Sequence, residues 1–376
     1  MNTSIVAFFP SAGRAIALAL MTLAVVPACG ENTVEAPPPT SMSSEERQRL
    51  EQHIAELEAE VAEMKAELEK HHQDAAASEQ ALKEMEAQVS QLTEELAEAR
   101  ALLESQDWDG VLVKLEAARA ELASLQARVA TLPGHLQLTA TLRFGNQPFV
   151  LDQPFTLPSG EQISFTELRY WLSNIKLLKQ DGTSVALPGS YHLMELIKEQ
   201  PLPPEFQPTD GRPPVVLPAN RREQVRLEFV PAGVYTGIEL SVGVDPYYND
   251  NLSRQAGELH LGKNMVDITW NWFTSYIFTK TKGTYVSADN RSGAFAWETG
   301  GNSNFRTTKL AFSAPVTLNA QKHVSVSLNA DVARLFDTLL PSTTPRIGAT
   351  SAEGATVSDG FATMFSLSAT EISSQW

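Results

Sequence analysis

The 376-residue sequence has one cysteine, Cys29. Disulfide frameworks, cysteine-rich zinc sites, Cys-x-x-Cys redox pairs and thiol proteases are therefore excluded. Basic residues are scarce: 29 Lys and Arg stand against 45 Asp and Glu, a net charge of −16, which repels phosphate backbones. No nucleic-acid partner is expected. Long apolar runs are absent too, since the longest stretch, residues 15–26, falls short of the roughly 20 residues that span a bilayer. Gly-x-Ser-x-Gly, His-Glu-x-x-His, a phosphate loop and a dinucleotide glycine fingerprint are all missing, so no enzymatic activity is expected. With 43% apolar and 20% charged residues the chain is otherwise ordinary globular protein, long enough for about two domains.

What is present begins with an address. Residues 1–28 carry one base, Arg14, then the apolar run, then Ala28 directly before Cys29. This is a secretory signal with a lipoprotein-type cleavage box, Val26-Pro27-Ala28-Cys29. Cys29 is expected to be the acylated mature N-terminus, anchored to the membrane without spanning it. Gly30 after it favours the outer membrane. Residues 29–43, with Pro37, Pro38 and Pro39, read as a semi-rigid tether.

From there the apolar spacing is 4, 3, 4, 3: Leu50, Ile54, Leu57, Val61, Met64 and Leu68, then Leu82, Met85, Val89, Leu92, Leu96, Ala99 and Leu103. Such spacing predicts a coiled coil over residues 44–132, weakened where His71, Ala75 and Ser78 occupy the seam. Uninterrupted from Glu45 to Glu104, the helix would be a stalk on the order of 90 Å long. Flanking charges such as Glu60 with Lys65 and Glu95 with Arg100 support self-association through a parallel pair, while Asp74 with Glu79 opposes it, and the oligomeric state stays open. Near residues 106–110 the phase breaks at Asp109-Gly110 and resumes at Val111, Leu115, Ala118, Leu122, Leu125 and Val129, either as a fold-back or after a kink. The region holds 21 acids and 9 bases, so it carries most of the negative charge.

Leu132-Pro133-Gly134 ends the helical pattern, and the period changes to two. Leu136, Leu138, Ala140, Leu142 and Phe144 alternate with polar residues, as do Val225, Leu227 and Phe229, then Ile238, Leu240 and Val242, then Val324, Val326, Leu328 and Ala330. Residues 133–376 are accordingly expected to form an all-β domain, an antiparallel β-sandwich. Seven prolines between residues 201 and 218 mark an extended surface loop. His135 and His323, each opening a strand, are expected to face solvent. His192 follows a strand tyrosine and is placed either at the same end of the sandwich as the aromatic stretch or exposed on its strand.

The stretch from residue 243 to 283 is rich in Trp and Tyr and contains His260 and Met265. Two readings fit: a core strand of aromatics behind an Asn/Asp turn, or a metal pocket walled by aromatics. Around it lie Leu168-Arg-Tyr-Trp-Leu-Ser-Asn-Ile175, Tyr191-His-Leu-Met-Glu195, Val230-Pro-Ala-Gly-Val-Tyr235, Gly243-Val-Asp245 with Asn249, Gly257 with Leu259, Met265 before Trp270-Asn-Trp272 and Tyr276-Ile-Phe278, and Gly300-Gly301 with Asn304. In this order, over residues 136–376, they resemble the methanobactin-associated copper-binding proteins and their MbnP-like relatives.

The resemblance implies a Cu(I) site of histidine imidazoles, sometimes joined by an oxidised tryptophan, with a dihaem peroxidase-like partner performing the oxidation. Trp270 or Trp272 would be the modified residue or a wall of the site. This chain departs from the pattern where it matters, with Asp250 and Glu298 standing where relatives carry histidine. A divergent metal site is therefore expected from Asp250, His260, Met265 and Glu298. Oxygen donors from Asp245, Asn249, Asp250 and Glu298 make Ca²⁺ the alternative ion. The competing expectation is that the fold remains and no metal binds, leaving a structural or interaction lipoprotein.

Overall fold

The heptad residues from Ile54 to Met64 and from Met85 to Val129 are buried as their spacing requires, but against one another within a single chain. A computed structural model describes residues 44–74, 79–201, 207–260, 265, 275–348 and 351–373. Its helices are α1 (Ser44–Asp74), α2 (Glu79–Glu104) and α3 (Trp108–Val129). Cross-helix pairs give their directions. Arg100 of α2 binds Glu58 of α1 at 2.5 Å, Lys114 of α3 binds Glu98 of α2 at 2.5 Å, and Gln126 of α3 reaches Glu60 of α1 at 3.4 Å. The chain therefore runs up, down and up. Ile54, Leu57, Val61, Met85, Leu92, Leu96, Leu115, Leu122 and Leu125 share one core.

This overturns the expected rod. A seam that keeps its phase through a polar interruption is compatible with either a continuous helix or a fold-back, because each residue buries its apolar face in both. Folding back makes the stalk as long as one helix: 31 residues give roughly 46 Å at 1.5 Å each. Arg100, expected to serve a parallel pair with Glu95, is committed to Glu58 instead. At the second break Asp107 caps α3, its carboxylate accepting from the Gly110 amide at 3.1 Å.

Beyond α3 the chain enters β1 (Gly134–Phe144). The junction is close-fitting, since the Ala320 amide donates to the Leu132 carbonyl at 3.1 Å and Ala320 packs into the helical core. A Cβ on Gly134 would lie 2.2 Å from the Asn319 carbonyl oxygen, so only glycine fits there. His135 and His323 lie at this junction, 4% exposed each, with ring centroids 4.9 Å apart. The expectation that they face solvent is thus corrected. Pairing of Leu136 with Val324 in register brings the two preceding imidazoles together.

The other main strands are β2 (Gln162–Leu178), β3 (Tyr191–Ile197), β4 (Asn220–Arg222), β5 (Gln224–Val230), β6 (Gly233–Val242), β7 (Ile277–Val286), β8 (Ser292–Gly300), β9 (Arg306–Leu318), β10 (His323–Asp331), β11 (Arg346–Ile347) and β12 (Phe365–Ser373). One sheet runs β5-β1-β10-β12 and the other β9-β6-β2-β7-β8-β11, with β3 alongside β2 and β4 alongside β3. The alternating residues of β1, β6 and β10 meet those of β2 in the core between the sheets. The expectation of purely antiparallel sheets is corrected, because β1 pairs β10 in parallel and β8 pairs β11 in parallel. Alternation reports which face is buried and carries no information on strand direction.

Phe229 departs from the expected pattern for the same kind of local reason. Its φ is +55°, the register shifts there, and Val230 takes the fully buried place. A ten-residue helix, Gly354–Thr363, which carries no seam-like periodicity, packs Val357 and Phe361 into the core.

Candidate functional site

In the middle of β2 the alternation disappears. Leu168, Tyr170 and Leu172 face the core between the sheets, while Arg169, Trp171 and Ser173 point the other way and are buried as well. What covers this outer face is the segment that follows β6. Trp171, Tyr191, Leu193, Val244, Leu259, Met265, Tyr276, Ile277 and Phe278 form a second apolar cluster there.

The residues that carry the family resemblance fasten that segment down. Ser173 Oγ donates to the Gly243 carbonyl at 2.7 Å, and Asn174 Nδ2 donates to Asp245 Oδ2 at 3.2 Å. Tyr191 OH donates to Asp245 and lies 2.8 Å from Asn174 Oδ1. Burial, and after it the hydrogen bond to Asp245, push the Tyr191 phenol far above its ordinary value, so the hydroxyl keeps its proton and acts as donor. Asp245 also caps the single turn Pro246–Asn249 through the Tyr247 amide. Asn249 accepts from the Tyr276 amide at 2.9 Å and donates to Asn302 at 2.8 Å. Gly257, at φ +55°, lies so close to the Gly189 carbonyl that a Cβ would stand 2.0 Å from its oxygen.

Beside this apolar cluster runs a row of charge. Arg222 of β4, Glu195 of β3, Arg169 of β2, Lys280 of β7 and Glu298 of β8 are register partners in succession. Arg169 Nε donates to Glu195 at 3.0 Å and its Nη1 reaches Glu167 at 3.5 Å. Lys280 Nζ lies 3.5 Å from Glu298, the side chains 5% and 6% exposed, and contacts the Met265 carbonyl at 3.4 Å. At the other end Arg222 grips Glu258 with two bonds of 2.5 Å, and His192 Nδ1 adds a third at 3.1 Å.

Burial alone would raise the Glu258 carboxyl; the hydrogen bonds from His192 and Arg222 overcome it and hold the group well below the ordinary carboxylate range. A depressed folded value means stability that is present above the unfolded value of about 4.3 and is lost as pH falls through it toward the folded one. Glu258→Gln is therefore expected to cost roughly 1–3 kcal/mol at pH 7 and progressively less below about pH 4. Urea midpoints of both proteins at pH 7 and pH 3.5 check this; an undiminished gap at the lower pH would contradict it.

The residues singled out in the sequence are distributed as follows. Asp250 is exposed and accepts from Asn302 Nδ2 at 2.8 and 3.0 Å. His260 is exposed, Met265 is fully buried, and Glu298 is buried against Lys280. Of these four, the structure brings together only Met265 and Glu298, through Lys280. His192 is nearly buried on Glu258. Trp270, Trp272 and Cys29 lie outside the described residues. Among the described residues no three His, Cys, Asp or Glu side chains stand close enough to hold one metal ion. The charge row and the Arg222-Glu258-His192 group escaped the sequence reading. Their signal is weak: Glu167 and Arg169 flank the apolar Leu168, and Lys280 and Lys282 lie among threonines, as they would on an exposed strand face.

The family model for MbnP matches residues 133–351. Among solved structures the chain is similar to MbnP from Methylosinus trichosporium, with 14% identity over 64% of this chain and 98% of that one, at a TM-score of 0.32. No curated protein matches. On the family match, which covers more than half of its length, the chain belongs to the MbnP family.

Proposed function

We propose that this chain is an envelope lipoprotein that holds an MbnP-family head on a helical stalk, and that the head works as an interaction module in which Lys280 pairs the acid standing where the resemblance implies an imidazole. The anchor is Cys29, acylated after signal cleavage, in the outer membrane. Among the described residues no helix is long and apolar enough to cross a bilayer.

One observation carries the proposal for the head. Glu298 stands where the resemblance puts an imidazole, and its carboxylate lies against the ammonium of Lys280, both of them buried. A metal cation there would have to displace a lysine already held next to the acid. The remaining donors fit Cu(I) no better, because Asp250 offers hard oxygens to Asn302 and His260 is solvent-facing. Ca²⁺ is disfavoured by the same logic: Asp245 is taken by Tyr191, Asn174 and the Tyr247 amide, and Asn249 by Tyr276 and Asn302.

A copper-binding reading retains one observation in its favour, the thioether residue Met265 buried beside Trp171 and Tyr276. Anaerobic Cu(I) titration of the full chain, with elemental analysis after washing and Ca²⁺ as comparison, separates the two. The expected result is no stoichiometric retention of either ion. Copper retained at one equivalent and lost in His260→Ala or Met265→Leu would overturn the interaction reading and establish a divergent copper site.

A further inference from the structure

The exposed positions described on the stalk are mostly charged, polar or alanine. Among its described residues, the large apolar side chains that stand exposed are Leu112 at 46% and Val113 at 67%. They lie in the first turns of α3, next to Trp108, which packs only partly against the helical core together with Leu50 and Leu102. A solvated stalk has no use for such a group in water, and neither residue contributes to the seam.

Their position along the stalk is informative. α1 and α3 run in the same direction, and His53, Glu56 and Glu60 of α1 line a cleft of about 570 Å³ with Arg119, Leu122 and Gln126 of α3. That alignment puts Trp108 and Leu112 beside Ser44, the first residue of α1, while Leu132 and the head lie at the other end of α3. The chain reaches Ser44 from Cys29 over 15 residues. Fully extended these would span at most about 50 Å, and as a flexible coil roughly 20 Å. An anchor at Cys29 joins the chain at this end of the stalk, which is therefore the end nearest the lipid surface.

From this geometry we infer that the lower tip of the stalk, through Trp108, Leu112 and Val113, seats in the interfacial layer of the bilayer that anchors the chain. An aromatic with two aliphatic neighbours at a helix end is the composition that settles at headgroup depth. Glu104, Asp107 and Asp109 adjoin the patch in sequence and the nearest base, Lys114, is paired with Glu98, so the surface it fits is zwitterionic; anionic headgroups would be repelled. The contact would give the stalk a second point of attachment beside the lipid anchor.

The inference rests on the lipoprotein reading, and the test keeps the two apart. With Cys29 acylated, Leu112→Cys and Val113→Cys each introduce one free thiol for an environment-sensitive fluorophore, and Ser90→Cys provides an exposed mid-stalk control. The full acylated chain is reconstituted in phosphatidylcholine and phosphatidylethanolamine vesicles carrying a nitroxide-labelled lipid. Quenching at 112 and 113 at least about twofold above that at 90 is expected, reduced when phosphatidylglycerol is added. Equal quenching at all three positions, or none, overturns the seated tip. A further variant with Leu112→Glu and Val113→Glu, read from a probe at Ser105→Cys, should lose the quenching; unchanged quenching there overturns the role of the two side chains. Palmitate incorporation is measured on the same preparations. Labelled Cys29 with no difference between probes removes the tip contact alone, whereas an unlabelled chain removes the anchor and the tip contact with it.

Discussion

Arg169→Met is expected to destabilise the head by about 3–5 kcal/mol, the cost of leaving a buried charge without its partner. Arg169 is 8% exposed and Glu167 only 3%. The guanidinium binds Glu195 at 3.0 Å and Glu167 at 3.5 Å, while Lys282, the next cation, is 3.9 Å from Glu167 and considerably more exposed. Removing the arginine leaves two carboxylates in a poorly solvated place, where either ionisation or protonation is costly at neutral pH. For a domain of this size each kcal/mol lowers the melting temperature by about 2–4 °C, so a fall of about 10 °C is expected in a thermal scan followed at a β-sheet wavelength. Replacing Glu167, Arg169 and Glu195 together by apolar residues of similar volume should cost far less, since no charge is then stranded. A single Arg169→Met variant within 1 kcal/mol of the parent would mean that water reaches the row.

Phe165→Ala should cost a similar amount for an unrelated reason. Phe165 stands at the centre of the aromatic core, with ring centroids of Phe149, Phe336, Phe295, Phe144 and Phe155 at 4.7, 5.6, 5.9, 6.0 and 6.0 Å. Several of these contacts are edge-to-face, an arrangement that adds to the effect of burial. Truncation opens a cavity between two sheets that are held apart by their other side chains, so collapse is limited, and about 3–5 kcal/mol should be lost. Phe165→Leu, which keeps most of the volume, is expected to lose about half as much. Denaturant midpoints distinguish the pair; equal losses would show that ring geometry outweighs volume at this position.

Much of this architecture can be read from residue spacing, and the parts that cannot fail for identifiable reasons. Leu136, Leu138, Ala140, Leu142 and Phe144 are all buried because β1 has one covered face, which a period of two reports directly. In β2 both faces are covered, and Arg169, Trp171 and Ser173 become as buried as Tyr170 and Leu172; periodicity vanishes where it would be most useful. The heptad positions from Ile54 to Met64 and from Met85 to Val129 are buried as spaced, yet the seam says nothing about which helix fills it, and the rod becomes a bundle.

The candidate site was least legible. Asp250 and Glu298 are read as donors because they stand at histidine positions of the relatives, and His260 because it brings an imidazole near Met265; sequence position carries no information on what an opposite strand offers. Lys280 lies opposite Glu298 by strand register, and Asn302 meets Asp250 by loop closure. The residues carrying the resemblance, Ser173, Asn174, Tyr191, Gly243, Asp245 and Asn249, prove to be fasteners of one loop onto one sheet. A family signature made of such residues preserves a shape, and donors set within that shape are free to change.

The three-pass stalk has a parity. Two passes would return the chain to the level at which it entered and lay the head beside its own tether; three deliver it to the opposite end, so the number of reversals decides on which side of the stalk the head stands. Height and stiffness are also decoupled from chain length. Some 86 residues yield the reach of one 31-residue helix, but side-by-side struts resist bending far better than a single slender one. Lengthening such a mast requires matched insertions in all three helices at once, and a heptad added to one alone would shear the seam. Evolution of the gap between head and membrane is thereby quantised, and strongly constrained against gradual drift.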